Sequence, residues 1–189
     1  MKPKQNYKPG PMDVCGTPYY ALMPILPLLT GKKVWESACG QEHLIVNALL
    51  HHGINTVASD ISSEMPVDFF LEQPESWDVQ VTNPPFSQKY RWLKRSYELG
   101  KPFALLLPVE TIGAGTALRL FRKYGLEVIF FTRRVDFKMP NKGWDSHAQF
   151  PVAWFTWGME VGKPISVYEL TLDEKRIFRD VPNEDSGSL

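Results

Sequence analysis

From Lys32 to Gly125 the sequence alternates short apolar runs with amphipathic ones, and two further apolar runs then follow with no amphipathic stretch between them. That order constrains the fold more than any single residue does. KKVWESACG reads as a strand. QEHLIVNALLHHG places Leu44, Ile45, Ala48, Leu49 and His52 at helical spacing and stops at Gly53, where glycine relieves the strain of a helix end. INTVASD is a second strand, VDFF (67–70) a short extended piece, and SWDVQVTN the next strand. QKYRWLKRSYELG is a helix stopped by Gly100, PFALLLPVE a fully apolar strand, and a helix is expected near 116–124. LEVIFFTRRVDF and PVAWFTWGM are the two closing strands, separated by the long loop KMPNKGWDSHAQF. A short helical pattern covers 18–29, and PISVYELTLDEKRIFRDV either adds a strand or packs as an extension.

Alternation of this kind predicts a mostly parallel sheet with helices on both faces, and the final helix-free pair predicts an antiparallel ending. The expected class is α/β: a doubly wound, Rossmann-like, mostly parallel sheet of about seven strands with an antiparallel terminal strand pair. At 189 residues and 43% apolar content the chain fits one domain with a full core. Residues 1–12 read as a basic N-terminal arm, 13–180 as the single domain, and 181–189 as a disordered tail. The apolar run YYALMPILPLL is interrupted by Pro24 and Pro27, is too short to cross a bilayer, and lacks the charged start and cleavage site of a secretory signal. Two cysteines are too few for a disulfide framework, and no Cys/His spacing suits zinc, so a cytoplasmic protein without membrane or metal is expected. A net charge of zero argues against a protein that coats nucleic acid non-specifically, and leaves room for local basic patches.

In a doubly wound sheet, ligands sit at the carboxyl ends of the strands, near the point where strand order reverses. The residues at those ends are ESACG, SDI, DFF, NPPF and PVE. Gly40 would let the backbone pass close beneath a ligand. Asp60, at the end of the second strand, is placed to accept from ribose hydroxyls, with Ile61 beside it to pack on a purine face. Asp68 could accept from an exocyclic amine, with Phe69 covering the ring. In VTNPPF, two adjacent prolines forbid both strand pairing and helix, so the chain leaves the sheet rigidly. The Asn83 side-chain oxygen and the Pro84 carbonyl could then both accept from one planar amino group, with Pro85 stiffening the exit and Phe86 stacking on the ring that bears the amine. His43, His51 and His52 lie on or beside a helix without a metal-like partner set and read as structural.

Taken in order, ESACG, SDI, DFF, VTNPPF, LLLPVE and RRVDF resemble the class I S-adenosylmethionine-dependent methyltransferases, and among them the compact, phage-type DNA N6-adenine methyltransferases. The resemblance spans about residues 13–158. It implies that Thr17, Pro18 and Tyr19 of TPYY contact the methionine end of the cofactor, that Glu36, Ala38 and Gly40 form the cofactor loop, and that Asp60, Ile61, Asp68 and Phe69 hold the ribose and adenine. It implies that Asn83, Pro84, Pro85 and Phe86 form the catalytic motif. The sequence departs from the family pattern in a minor way at Ser37, where proline is common, and clearly in one other place. Where the family loop has a second glycine, CGQEH has Glu42, which either crowds the cofactor or turns outward at the start of the helix.

The resulting expectation is methyl transfer from S-adenosylmethionine, with S-adenosylhomocysteine as product, to the N6 amine of adenine in DNA, the base being flipped out of the duplex. Phe137 is the candidate for a second face of a base sandwich, and Lys138 and Lys142 are candidate phosphate contacts. Alternatives are amino-methylation of RNA, since NPPF also resembles the motif of RNA adenine and guanine amino-methylases, and a cofactor-deficient relative acting as a binding or scaffold subunit. A monomer or homodimer in a bacterial cell or phage-infected host completes the expectation.

Overall fold

The structure is a computed structural model that describes Gly10 and residues 13–140, 142–145 and 150–182. Most of the expected arm (1–9 and 11–12) and tail (183–189) lies outside the described residues. In chain order the elements are β1 (Val34–Glu36), α1 (Leu44–His51), β2 (Thr56–Ala58), β3 (Val79–Thr82), α2 (Lys89–Leu99), β4 (Phe103–Pro108), α3 (Gly115–Tyr124), β5 (Glu127–Phe131), β6 (Phe137–Met139), β7 (Gly143–Asp145), β8 (Val152–Trp157), β9 (Ile165–Tyr168) and α4 (Leu172–Ile177). The helical pattern over 18–29 resolves into two 3-10 turns, Tyr19–Ala21 and Leu26–Leu29, with Pro24 and Pro27 preventing a continuous helix.

Seven strands form one sheet in the order β2-β1-β3-β4-β8-β5-β9. β2, β1, β3 and β4 are parallel, and β8 runs antiparallel to both neighbours, β4 and β5. The antiparallel pair expected from the two closing strands is β5–β8, and β9 extends the edge beyond it, parallel to β5. The chain leaves β1 toward β2 on one side and returns past it to β3 on the other, so strand order reverses between β1 and β3. That crevice is where such a sheet binds ligands.

Side-chain alternation divides the core between the two faces. Val34, Val81, Leu106, Ile129 and Trp154 pack with Ile45, Leu49, Tyr20 and Leu22 on one side. Phe103, Leu105, Leu107 and Phe155 pack with Leu93 and Tyr97 of α2 and Ala117 of α3 on the other. All six β4 residues are buried, which explains its unbroken apolar run. Gly100 ends α2 at φ +67, the left-handed cap that stopped the helix in the sequence.

Two local expectations change. VDFF, expected as a short extended piece, ends in a turn at Phe69–Phe70: the Asp68 Oδ1 accepts the Phe70 N–H at 2.8 Å, and its carbonyl accepts the N–H groups of Leu71 and Glu72 at 2.9 Å each. The loop KMPNKGWDSHAQF begins with a two-stranded ribbon, β6–β7, with Lys138 opposite Trp144. Strands of three residues are too short to show alternation, so the ribbon left no periodic signal. No helix among the described residues is long and apolar enough to cross a membrane.

Candidate active site

Glu36 ends β1 and Thr82 ends β3, and the two meet across the switch point. The Thr82 hydroxyl donates to Glu36 Oε1 at 2.5 Å, and the Ala38 N–H donates to the same oxygen at 2.9 Å. Glu36 is wholly buried and its other oxygen, Oε2, has no hydrogen-bond partner. Burial pushes its pKa up to about 8, opposed by the hydrogen bonds from Thr82 and Ala38 and reinforced by the negative charge of Asp60. The carboxyl group therefore holds a proton near neutrality, and a cation or N–H donor arriving at Oε2 would favour its release.

The loop after β1 turns at Gly40, whose φ of +60 favours glycine and whose missing side chain would face open space. Gly40 donates its N–H to Asp60 Oδ2 at 2.9 Å, tying the loop to the end of β2. Asp60 Oδ1 accepts the Ser62 N–H at 2.7 Å and the Ser62 hydroxyl at 2.5 Å. A carboxylate offers about four lone-pair positions. Three are occupied here, which leaves one for a hydroxyl. Ile61, next to it, is 53% exposed.

Glu42 does not enter the crevice. It is half exposed and forms an ion pair with Lys138 Nζ at 2.5 Å, so the carboxylate points away from Gly40 and toward β6. Glu42, which stands where the resemblance implied a second glycine, thus pairs with Lys138, the lysine expected to contact phosphate. Lys138 also exchanges backbone hydrogen bonds with Gly16, 2.8 and 2.9 Å, which ties the segment before β1 to the ribbon. Lys142 lies exposed at the turn between β6 and β7.

Asn83 follows β3 directly. Its Nδ2 donates to Cys15 Sγ at 3.8 Å, and its Oδ1 is buried without a partner. Pro84 and Pro85 carry the chain away, and Phe86 begins a 3-10 turn, Phe86–Gln88. Lys89 Nζ donates to the Phe86 carbonyl at 3.5 Å and pairs with Glu110 at the same distance, bracing the exit. Phe86 is nearly buried, with Phe137 at 6.0 Å and Phe150 at 5.7 Å, both edge to face. The expectation that Phe86 and Phe137 stand as two faces of a slot is therefore corrected. Their planes cross at 79° and the rings meet edge to face, so they do not stand as two parallel walls.

Two of the other expected contacts are not brought to the crevice. Tyr19 lies beside the loops that enter β1 and β2, at the other end of those strands, where its hydroxyl meets His52 Nε2 at 2.6 Å and the two rings stack 5.7 Å apart, at the carboxyl end of α1. There it lines a recess of about 450 Å³ together with Met23, Leu26 and Pro27, far from the strand-end carboxylates. Phe69 lies in the core, 3% exposed and stacked on Trp92 at 3.9 Å, with the tilted Trp35 ring at 5.5 Å, so it is packed against the protein's own rings. Thr17 and Pro18 are buried at the start of the segment that leads to Tyr19, and Asp68 Oδ1 accepts the Phe70 N–H of its own turn. Sequence reasoning overlooked Cys15, Thr82 and Ser62. Thr82 was legible as the residue before Asn83 at a strand end, whereas Cys15 is 68 residues from its partner and carried no signal.

No family model matches the sequence, and no curated protein matches it. Solved structures with a similar chain path include a protein described as a candidate RNA methyltransferase, from Pyrococcus horikoshii. It has 16% identity and a TM-score of 0.46, over 73% of this chain and 77% of that one. A protein described as a predicted O-methyltransferase, from Agrobacterium tumefaciens, has 12% identity and a TM-score of 0.39, over 77% of this chain and 83% of that one. Among the described residues no group of three or more His, Cys, Asp or Glu side chains could hold a metal ion.

Proposed function

We propose that this chain transfers a methyl group from S-adenosylmethionine to the exocyclic N6 amine of adenine in DNA. The observation that carries this reading is the Asn83 Oδ1, a buried acceptor without a partner, held by a rigid two-proline exit beside the switch point. A buried carbonyl oxygen left unpaired costs about 1–3 kcal/mol, a cost recovered when a ligand N–H arrives. The residues of the crevice fit the cofactor. Gly40 gives a path with no side chain, Asp60 keeps one lone pair for a ribose hydroxyl, and the unpartnered Glu36 Oε2 can receive a cationic or N–H group.

When bound, S-adenosylmethionine supplies a methyl group on a sulfonium, already activated for displacement. The chain's own work is orientation. Asn83 Oδ1 and the Pro84 carbonyl accept the two amine protons, which takes the nitrogen lone pair out of conjugation with the ring and aims it outward. In the transfer the carbon–sulfur bond would break with its electron pair left on sulfur, giving S-adenosylhomocysteine, and the extra proton on nitrogen would pass to water.

The test is methyl transfer from labelled S-adenosylmethionine to methylation-free genomic DNA and, separately, to RNA, with nucleoside analysis of each. N6-methyladenine from DNA supports the proposal in full. The same nucleoside from RNA alone moves the substrate to RNA, and no label together with no cofactor-dependent rise in melting temperature favours a cofactor-deficient binding subunit. Asn83→Ala is expected to lower transfer at least about 100-fold while leaving cofactor affinity unchanged. Surviving activity in that variant refutes the orienting role.

A further inference from the structure

We propose that Cys15 is a positioning residue for Asn83: its sulfur holds the nitrogen end of the carboxamide and so fixes which end faces the reacting amine. A carboxamide is nearly symmetric in shape and opposite in chemistry at its two ends. Rotated by half a turn, Asn83 would present a donor to an amine that is itself a donor. Its orientation therefore has to be set by something that tells nitrogen from oxygen.

In this structure the Nδ2 end faces Cys15 Sγ at 3.8 Å, and Oδ1 is left buried and unpaired. Cys15 is not placed there loosely. Two residues earlier, Asp13 accepts from the Ser87 N–H at 2.9 Å and the Ser87 hydroxyl at 2.7 Å, which pins the segment to the far side of the two prolines. One residue later, Gly16 exchanges two backbone hydrogen bonds with Lys138. Gly16 is also packed so closely that an added Cβ would come within 2.5 Å of Leu44 Cδ1 and 3.2 Å of Lys138 Cβ. The segment that carries the thiol is thus held on both sides of Cys15. Burial keeps it protonated, its pKa raised to about 11, so it meets the amide as a neutral weak acceptor and not as a thiolate that could itself be alkylated.

The inference rests on the proposed role of Asn83, and its test separates the two. The first measurement needs no activity. Side-chain amide signals of 15N-labelled protein, with those of Asn83 assigned by their loss in Asn83→Ala, are compared in the wild type, Cys15→Ala and Cys15→Ser. Faster hydrogen exchange of the Asn83 Nδ2 protons in Cys15→Ala is expected, and unchanged exchange overturns the proposal. The second measurement is kinetic. Cys15→Ala is expected to lower kcat about three- to tenfold, the worth of one weak hydrogen bond. KM for the amine substrate and the cofactor Kd stay at the wild-type values, and Cys15→Ser, which keeps an acceptor of shorter reach, falls between. A Cys15→Ala kcat within twofold of the wild type, with Asn83→Ala inactive, refutes it. A wild type that transfers no methyl while the exchange effect is present refutes the functional reading and leaves the positioning intact.

Discussion

Glu36 is the residue whose surroundings most depart from water. It is fully buried, the negative charge of Asp60 acts on it, and it keeps one oxygen unpaired. With its pKa raised from the usual 4.5 to about 8, the folded chain holds a proton that the unfolded chain releases. Between those values the unfolded state binds fewer protons, so stability is expected to fall as pH rises from about 5 to 8. Glu36→Gln, which keeps the shape and cannot ionise, should flatten that dependence in urea unfolding measured across the range. An equal slope in both proteins would show that Glu36 is not its source. At this scale the sequence was most informative where chemistry follows chain order: Glu36, Gly40, Asp60 and Asn83 all stand at strand ends, as their positions after apolar runs implied. It was least informative for aromatic direction. Tyr19 and Phe69 sit in motifs that implied contact, yet which way a ring turns is decided by partners such as His52 and Trp92, distant in the chain.

At the scale of elements, the ribbon β6–β7 is joined to the rest by Gly16 and by the Glu42–Lys138 pair. Gly16→Ala forces its Cβ against Leu44 and Lys138, an overpacking expected to cost about 1–3 kcal/mol. It should also speed hydrogen exchange at the Lys138 amide more than at amides of β4. The ion pair is half exposed, so Glu42→Gln should change global stability by less than about 1 kcal/mol. Its effect should appear instead as easier movement of Phe137 away from Phe86. The charge swap Glu42→Lys with Lys138→Glu should restore what either single change loses, and failure to do so in exchange measurements would remove the ribbon from the pair's control. β1 through β5 were legible because each is an apolar run bounded by a turn or cap residue. The ribbon was not, because Phe137, Lys138 and Met139 gain their extended shape from pairing and from Gly16 and not from alternation.

Across the whole molecule, the closing segment is fastened by a buried carboxylate. Asp136 accepts from Lys175 Nζ at 3.0 Å, with Arg179 at 3.9 Å, while its N–H donates to the Tyr20 hydroxyl at 2.7 Å. Asp136→Asn removes the charge and leaves Lys175 partly buried. The expected loss is about 2–3 kcal/mol, below the roughly 3–5 of a fully buried pair because the lysine can reach water. Denaturant unfolding reads it, and a loss below about 0.5 kcal/mol would show that α4 is held by its apolar contacts alone.

The position of β8 between β4 and β5 also sets a schedule for synthesis. The strands that carry Glu36, Asp60 and Asn83 leave the ribosome early and can pair among themselves, but β5 has neighbours only in β8 and β9, both made later. Until residue 157 has emerged, β4 presents an open edge of apolar residues, and the nascent chain must be kept from pairing it with another copy. A chain ending at residue 150 is therefore expected to aggregate even though every strand-end residue of the crevice is present, so the last part of the sheet to be made is the part that protects the first.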